Sequence, residues 1–382
     1  MLHKKHFFLL LASLVFLLGG CARNAEPVTK TGFYFDTVIQ ITIYDVGKKD
    51  CLDACMELAG TYEEMLSPTV EGSDIWNINH SSGSPVQVSD ETAELLQTAL
   101  SYCEMSGGRI DLTMETVSAL WDFHPAVTSS STTTSPDSSS CGSETDTVGA
   151  ANRVPDEEAI AEALCHVDYH NLLIEGTTVT LLDPGSRISL GFIAKGYIAD
   201  KLKEYLLSQN IESAIINLGG NLLALGTKPD GSPFQFGIQR PFDAQGTPIT
   251  VLPVSDKSAV SSGVYERYFY QDDTLYHHIL NPADGYPVQN ELLGVTILSD
   301  SSTAGDALST TCFVLGPEEG MRLIESLEGV EAVFITKDYS LHYSSGLLSG
   351  ESNHFSLFPA HFSRIRAQTD SFPRKNQEIL HL

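Results

Sequence analysis

The stretch "GDALSTTCFVLG", residues 305–316, places Asp306, Ser309 and Thr310 at i, i+3 and i+4, so three oxygen side chains share one helical face. A carboxylate beside two hydroxyls is a donor set for a hard cation. Mg²⁺ and Ca²⁺ take oxygen ligands, and one carboxylate completed by hydroxyls, waters and phosphate oxygens suits Mg²⁺. The same residues admit a plainer reading. Thr303 and Asp306 match a capping box, with Thr303 as N-cap and Asp306 in the acidic N3 place. Ser and Thr hydroxyls also bond back to the carbonyls of the preceding turn.

Other stretches carry chemistry of their own. "SLGFIAKGYIADKL" (189–202) is a glycine-containing turn entering a helix, with Lys195 near the entrance. Glycine there permits close backbone approach to a ligand, and helix-start amides hold phosphate. "INLGGNLLALG" (216–226) sets Gly219 and Gly220 after an apolar strand, and "AVSSGVYERYF" (259–269) runs small hydroxyl residues into a strand bearing Arg267. "YHHILNPADGYPV" (276–288) holds adjacent histidines before an Asn-Pro turn. Adjacent strand residues point to opposite faces, so at most one of His277 and His278 faces a given pocket.

The elements that must position these residues read as a mixed α+β chain rich in antiparallel sheet. "FYFDTVIQITIY" (33–44) reads as a strand; 48–66, 89–106, 155–165, 193–208, 303–315 and 317–327 read as helices. Strands are expected at 172–182, 213–217, 222–226, 234–239, 249–254, 258–262, 266–271, 275–280, 292–298, 331–336 and 340–344. Residues 126–150 are Ser/Thr-rich, with almost nothing to bury, and read as a disordered insertion within one domain.

The ends and the charge bound the setting. Lys4 and Lys5 precede the apolar run "FFLLLASLVFLLGG", which has the order of a secretory signal over 1–20. "LGGC" resembles a bacterial lipobox, which implies cleavage before Cys21, a lipid on Cys21 and an extracytoplasmic, membrane-anchored protein. The formal charge of −27 argues against nucleic acid as a partner, because phosphate neutralisation needs clustered Lys and Arg. It leaves room for an anionic small ligand in a locally cationic pocket. Beyond Cys21 the cysteines Cys51, Cys55, Cys103, Cys141, Cys165 and Cys312 show no zinc spacing and are expected mostly as free or buried thiols.

Taken in order, "SLGFIAKGYIAD", "NLGGN", "SSGVYERYF", "HHILNPADGYPV" and "GDALSTTCFVLG" resemble the ApbE family of FAD:protein FMN transferases. Upstream, "FDTVIQITIY", "SDIWNINHSSG" and "GGRIDLTMETVSALWDF" look like that family's N-terminal segments. The resemblance implies a single ApbE-type, T-fold-like α+β domain over 33–345, after a 21–32 linker and before a 346–382 extension. It implies Mg²⁺, FAD as substrate, and transfer of FMN to a Thr or Ser hydroxyl of an acceptor flavoprotein with release of AMP.

By the same resemblance, Asp306, Ser309 and Thr310 match the metal-binding helix, with Asp306 and Thr310 the firmest ligands, and the Phe192 carbonyl completes the set. His278 matches the family's histidine before the turn, as base or phosphate donor. Lys195, Phe35, Arg109, Ile110, Asp111, Ser189 and Leu280 match positions that contact the flavin nucleotide. The chain departs from the pattern at Ser189 and Asn281, where Asp is usual. The alternatives are an FAD pyrophosphatase that passes FMN to water and a flavin-binding lipoprotein without turnover.

Overall fold

The computed structural model describes residues 26–123 and 152–349, and the backbone of 379–381. The 1–20 leader, Cys21, Cys141, the 126–150 insertion and most of the 346–382 extension lie outside the described residues.

In chain order the strands are β1 Val28–Tyr34, β2 Thr37–Ile43, β3 Val86–Gln87, β4 Leu172–Glu175, β5 Thr178–Leu181, β6 Ala214–Leu218, β7 Asn221–Leu225, β8 Phe234–Gln239, β9 Pro248–Val254, β10 Ser258–Gly263, β11 Tyr268–Gln271, β12 Thr274–His277, β13 Leu292–Ser299, β14 Glu331–Thr336, β15 Leu341–Tyr343 and β16 Ile379–His381. The helices are α1 Lys49–Leu66, α2 Asp74–Asn79, α3 Asp90–Met105, α4 Glu115–Ser118, α5 Glu157–Leu164, α6 Ala194–Ser208, α7 Ser302–Glu325 and α8 Ser345–Ser349.

An eight-stranded sheet in the order β1-β2-β6-β7-β10-β13-β14-β15 is the frame. Every neighbouring pair in it is antiparallel. Its central strands β7, β10 and β13 are buried along their whole length, as strands covered on both faces must be. Helices α1, α6 and α7 pack on the sheet and on one another. A second, smaller core gathers Val117, Trp121, Ile160, Ala163, Phe269 and Leu280 beside the β11–β12 hairpin.

Three differences from the sequence reading have local causes. The run 33–44 is two strands joined by a two-residue turn, because Phe35 and Asp36 both adopt left-handed backbone (φ 52° and 54°). Residues 28–32, read as linker, are the start of β1 and pair with β2. The run 172–182 is likewise a hairpin, β4 and β5. The cysteines 51, 55, 103, 165 and 312 are free, all but Cys165 buried.

Helix α7 crosses α6 and the sheet at close range. Gly305 lets it approach β10: a Cβ there would stand 2.9 Å from Val260 Cγ2 and 3.0 Å from Ser299 Oγ. At Gly196 a Cβ would overlap the Ser302 carbonyl and come within 2.8 Å of Asp306 Cβ. Gly316, with φ 81°, ends the first limb, and Pro317 opens the second, so α7 is two helices meeting at a kink, as expected at 303–315 and 317–327. Gly196→Ala is expected to force α6 and α7 apart and to cost about 1–3 kcal/mol as overpacking; a lowered urea midpoint measures it, and an unchanged midpoint contradicts this account of the crossing.

Candidate active site

The N-terminus of α7 is capped from a distance. Ser301 is its N-cap and accepts from the Ala304 amide (3.2 Å), while Asp200 of α6 accepts from the Ser302 amide (2.8 Å), the Thr303 amide (2.9 Å) and the Thr303 hydroxyl (2.7 Å). Thr303 is therefore not the N-cap, and Asp306 is not the partner of a capping box. Asp306 lies deeper in the helix, facing α6, and is 3 % exposed.

Asp306 Oδ2 accepts the Gly196 amide at 2.9 Å, and Lys195 Nζ lies 3.6 Å from Oδ1. Gly196 is the third residue of α6, whose N-cap is Ile193, so its amide has no acceptor within the helix. Asp306 supplies that acceptor, and the Phe192 carbonyl, one residue before the cap, lies outside the helical ladder. A buried carboxylate with one amide bond retains acceptor capacity. Thr310, half-buried, adds a hydroxyl that meets Ser262 Oγ at 3.2 Å. Carboxylate, carbonyl and hydroxyl form an all-oxygen set of the kind Mg²⁺ takes. Ser309 sits further back: it is fully buried, donates to the Asp306 carbonyl (2.9 Å) and shares a hydrogen bond with Ser262 (2.7 Å). As placed, Ser309 braces the helix against β10 and Thr310 presents the outer hydroxyl. Among the described residues no group of three or more His, Cys, Asp or Glu gathers around a metal position. The Asp306 set has one carboxylate and is of a different kind.

The two histidines separate as strand alternation requires. His277 is buried in the core, edge-on to Phe313 (centroids 5.8 Å apart). Its Nε2 donates to the Val288 carbonyl (3.1 Å), and its Nδ1 accepts the Ile279 amide (3.3 Å), a pattern only the neutral ring satisfies. Burial pushes its pKa down to about 4. His278 is half-buried, its Nδ1 3.3 Å from the Arg267 carbonyl, so that Nδ1 carries the proton and Nε2 keeps its lone pair. Burial first, then Arg267, His277 and Lys195, lowers it to about 3. Lys195 and Arg267 also act on Glu266, as does Asp306, which draws these side chains into one charged cluster. Glu266 Oε1 lies 3.8 Å from where a Cβ on Gly220 would stand. The neighbouring Gly219, with φ 54°, leaves no room for a Cβ beside Thr37, so the β6–β7 turn abuts the Phe35–Asp36 turn. Phe35 is half-buried there, its amide held by Glu63 Oε1 at 2.7 Å.

The remaining positions flank the cluster. Ser189 Oγ accepts the Gly191 amide (3.2 Å) and faces Glu115, whose carboxyl burial raises while Ser118, Arg187 and Ser189 pull it down. The carboxylate missing at position 189 thus has a neighbour in Glu115. Leu280 is buried in the small core, bridged to Pro287. Arg109 is exposed, 3.6 Å from Glu319, in an open recess of about 290 Å³ at the α7 bend that Asn290 and Gly316 also line. Ile110 is buried and its amide donates to Ser106 Oγ (3.0 Å). Asp111 has both oxygens engaged: Oδ1 by the Thr113 amide and hydroxyl (2.8 and 2.6 Å), Oδ2 by the Tyr169 amide (2.9 Å), with its pKa raised by burial. Sequence reasoning passed over Asp200, Ser262, Glu115 and Glu266. The only local signal for Glu266 was its place beside Arg267 in "SSGVYERYF".

An antiparallel sheet is crossed by a bent helix whose one buried carboxylate meets the start of α6. The ApbE family model matches residues 35–334, and the chain belongs to the ApbE family. A relative from Klebsiella pneumoniae (strain 342), an FAD:protein FMN transferase, is 35% identical over 295 residues, covering 76% of this chain and 83% of the relative. One of the same name from Treponema pallidum (strain Nichols) is 31% identical over 352 residues, covering 86% and 90%. The crystal structure of the ApbE protein from Thermotoga maritima superposes with a TM-score of 0.72 at 27% identity, covering 85% of this chain and 99% of that one. The flavin transferase ApbE from Vibrio cholerae gives 0.70 at 27% identity, with 84% and 98% covered.

His277 carries a stability consequence. Above pH 6.5 the ring is neutral folded or unfolded. As pH falls from 6.5 towards 4 the unfolded chain takes the proton and the folded one refuses it, so stability is lost through that window at about 1.4 kcal/mol per pH unit. Urea midpoints between pH 6.5 and 5 are expected to fall less steeply for His277→Gln than for the parent chain; equal slopes would contradict the neutral, buried ring.

Proposed function

We propose that this cleft moves FMN from FAD to a Thr or Ser hydroxyl of an acceptor flavoprotein and releases AMP, with a divalent cation, Mg²⁺, held by Asp306, Thr310 and the Phe192 carbonyl. The chain is a transferase, an FAD:protein FMN transferase, as its relatives at 35% and 31% identity are. The observation that carries the cation is the Gly196 amide bonded to Asp306, which aims a buried carboxylate at the start of α6. Bound there, the cation would supply Lewis-acid stabilisation of the charge that gathers on pyrophosphate oxygens.

The chain's own residues do the rest. Lys195 lies beside Asp306 and offers an ammonium to a phosphate oxygen. His278 presents an unprotonated Nε2, fit to accept a hydrogen bond from the incoming hydroxyl and to align it. Arg267, exposed beside His278, adds a second positive charge. The leader ending in "LGGC" supports an extracytoplasmic chain anchored through a lipid on Cys21.

The purified chain incubated with FAD and Mg²⁺, with and without a flavoprotein acceptor domain, tests the reading. AMP and a fluorescent acceptor band on a denaturing gel are expected, both abolished by EDTA. Asp306→Asn is expected to lower the rate at least about 10²-fold, the scale of a lost charge-stabilising group, and to weaken Mg²⁺ binding in calorimetry. AMP without a labelled band would reassign the chain as a pyrophosphatase. FAD bound with no AMP formed would reassign it as a flavin-binding protein.

A further inference from the structure

We infer that Glu63 is a positioning residue for the cleft: its carboxylate holds the Phe35–Asp36 turn in the left-handed form that shapes the rim where FAD binds. This rests on the transferase reading above, through FAD as the ligand. The Phe35 amide donates to Glu63 Oε1 at 2.7 Å, across 28 residues of sequence. Phe35 and Asp36 are the two loop residues between the paired Tyr34 and Thr37, with φ 52° and 54°. Such a turn favours Asn and Gly. A bulky residue at positive φ is an outlier that persists only where its surroundings over-determine it. Glu63, half-buried on α1, supplies one hold. Gly219 supplies another, since a Cβ there would overlap the Thr37 hydroxyl. Gly60 of α1 admits the ring of Tyr34, to which a Cβ would come within 3.3 Å.

Glu63 sits badly in its own helix. It lies in the last turn of α1, where its carbonyl accepts the Ser67 amide at 3.0 Å, and no basic residue accompanies it there. A helix C-terminus carries partial negative charge, so an acid in the last turn opposes the dipole. The carboxylate is therefore a cost to α1, and what it holds in return is the Phe35 amide. A residue that breaks the rule of its own element and is repaid in a strained turn is the mark of a functional arrangement.

Direct contacts join this turn to the hydroxyl face of α7. Thr37, at the end of the turn, touches Gly219 in the β6–β7 turn. The Gly220 carbonyl of that turn accepts the Ser261 amide at 3.2 Å. Ser262, next along β10, meets Thr310 Oγ1 at 3.2 Å and Ser309 Oγ at 2.7 Å. The Phe35–Asp36 turn is thus the outer rim of the same site, half-buried at Phe35 and exposed at Asp36. Releasing the Glu63 clasp frees that rim and moves the Phe35 ring. It leaves Asp306 and Thr310 in place, because α7 holds them against α6 and β10. Glu63 therefore acts on FAD binding and not on the chemical step, a change in KM at constant kcat.

The test uses the full chain with Mg²⁺, measuring FAD affinity by flavin fluorescence, kcat and KM by AMP release, and the thermal midpoint. Glu63→Met keeps the length and loses the acceptor. It is expected to weaken FAD binding and raise KM about tenfold, the scale of one lost hydrogen bond to a charged group, with kcat within about threefold of the parent. Glu63→Gln keeps an acceptor oxygen and is expected to match the parent. Asp36→Gly eases the left-handed turn. It is expected to leave FAD affinity unchanged alone and to restore it in the Glu63→Met chain. Asp36→Val resists positive φ with Glu63 intact and is expected to raise KM in the same way; a parent-like KM there overturns the inference even if Glu63→Met fails to fold. A lowered midpoint with FAD affinity unchanged in Glu63→Met makes Glu63 purely structural and also overturns it. So does a loss of affinity that Asp36→Gly fails to restore, which would make Glu63 a direct contact of FAD. A parent that binds FAD and forms no AMP removes the transferase reading, and the affinities still decide this inference. A parent-like KM in Glu63→Met, with an active parent, removes this inference alone.

Discussion

One hydrogen bond holds the site together: the Gly196 amide to the buried Asp306 carboxylate. It orients the carboxylate, which would be costly to bury without a partner. It also fixes the distance between α6 and α7 at a value only glycine tolerates. None of this would be possible if Asp306 were spent on the helix end. Asp200 relieves it of that duty, taking the amides of Ser302 and Thr303. Two acids on facing helices therefore divide the work: Asp200 takes the start of α7 and Asp306 the start of α6.

The face of Asp306, Ser309 and Thr310 was legible because helical spacing is local. Its cap was not, because Asp200 stands far upstream and only the fold brings it to the helix end. The strand read at 33–44 hid a turn for a related reason: Phe35-Asp36 lacks the glycine that announces a two-residue hairpin, and strand-forming residues lie on both sides. Alternation told His277 from His278 in principle, and the structure gives the buried place to His277 and the cleft to His278. Glu266 escaped notice because the neighbours that give it meaning, Lys195 and Asp306, come from distant parts of the chain. Order of motifs identified the family. Contact between motifs identifies the chemistry.

A chain of net charge −27 that handles a pyrophosphate has to reverse its field locally. Lys195 and Arg267 offset the acids Asp306 and Glu266 in the cluster, and Arg109 stands beside Glu319 at the bend of α7. The departures at Ser189 and Asn281 remove negative charge from the same neighbourhood. Glu115, beside Ser189, returns a carboxyl that burial inclines towards its neutral form.

The small core beneath the β11–β12 hairpin gives the cleft two walls of unequal firmness. Asp306 and Thr310 sit on a helix pressed against the central sheet and share the stability of the whole domain. The hairpin leading to His278 leans on His277 and Ile279 on one side and on the Trp121 cluster on the other. A unit with few apolar residues behind it opens at lower free energy than the main sheet. Amide exchange at Phe269 and Tyr276 should then outrun that at Ile297, with the domain still folded. The hairpin that carries His278 can breathe without loosening the helix that carries Asp306 and Thr310.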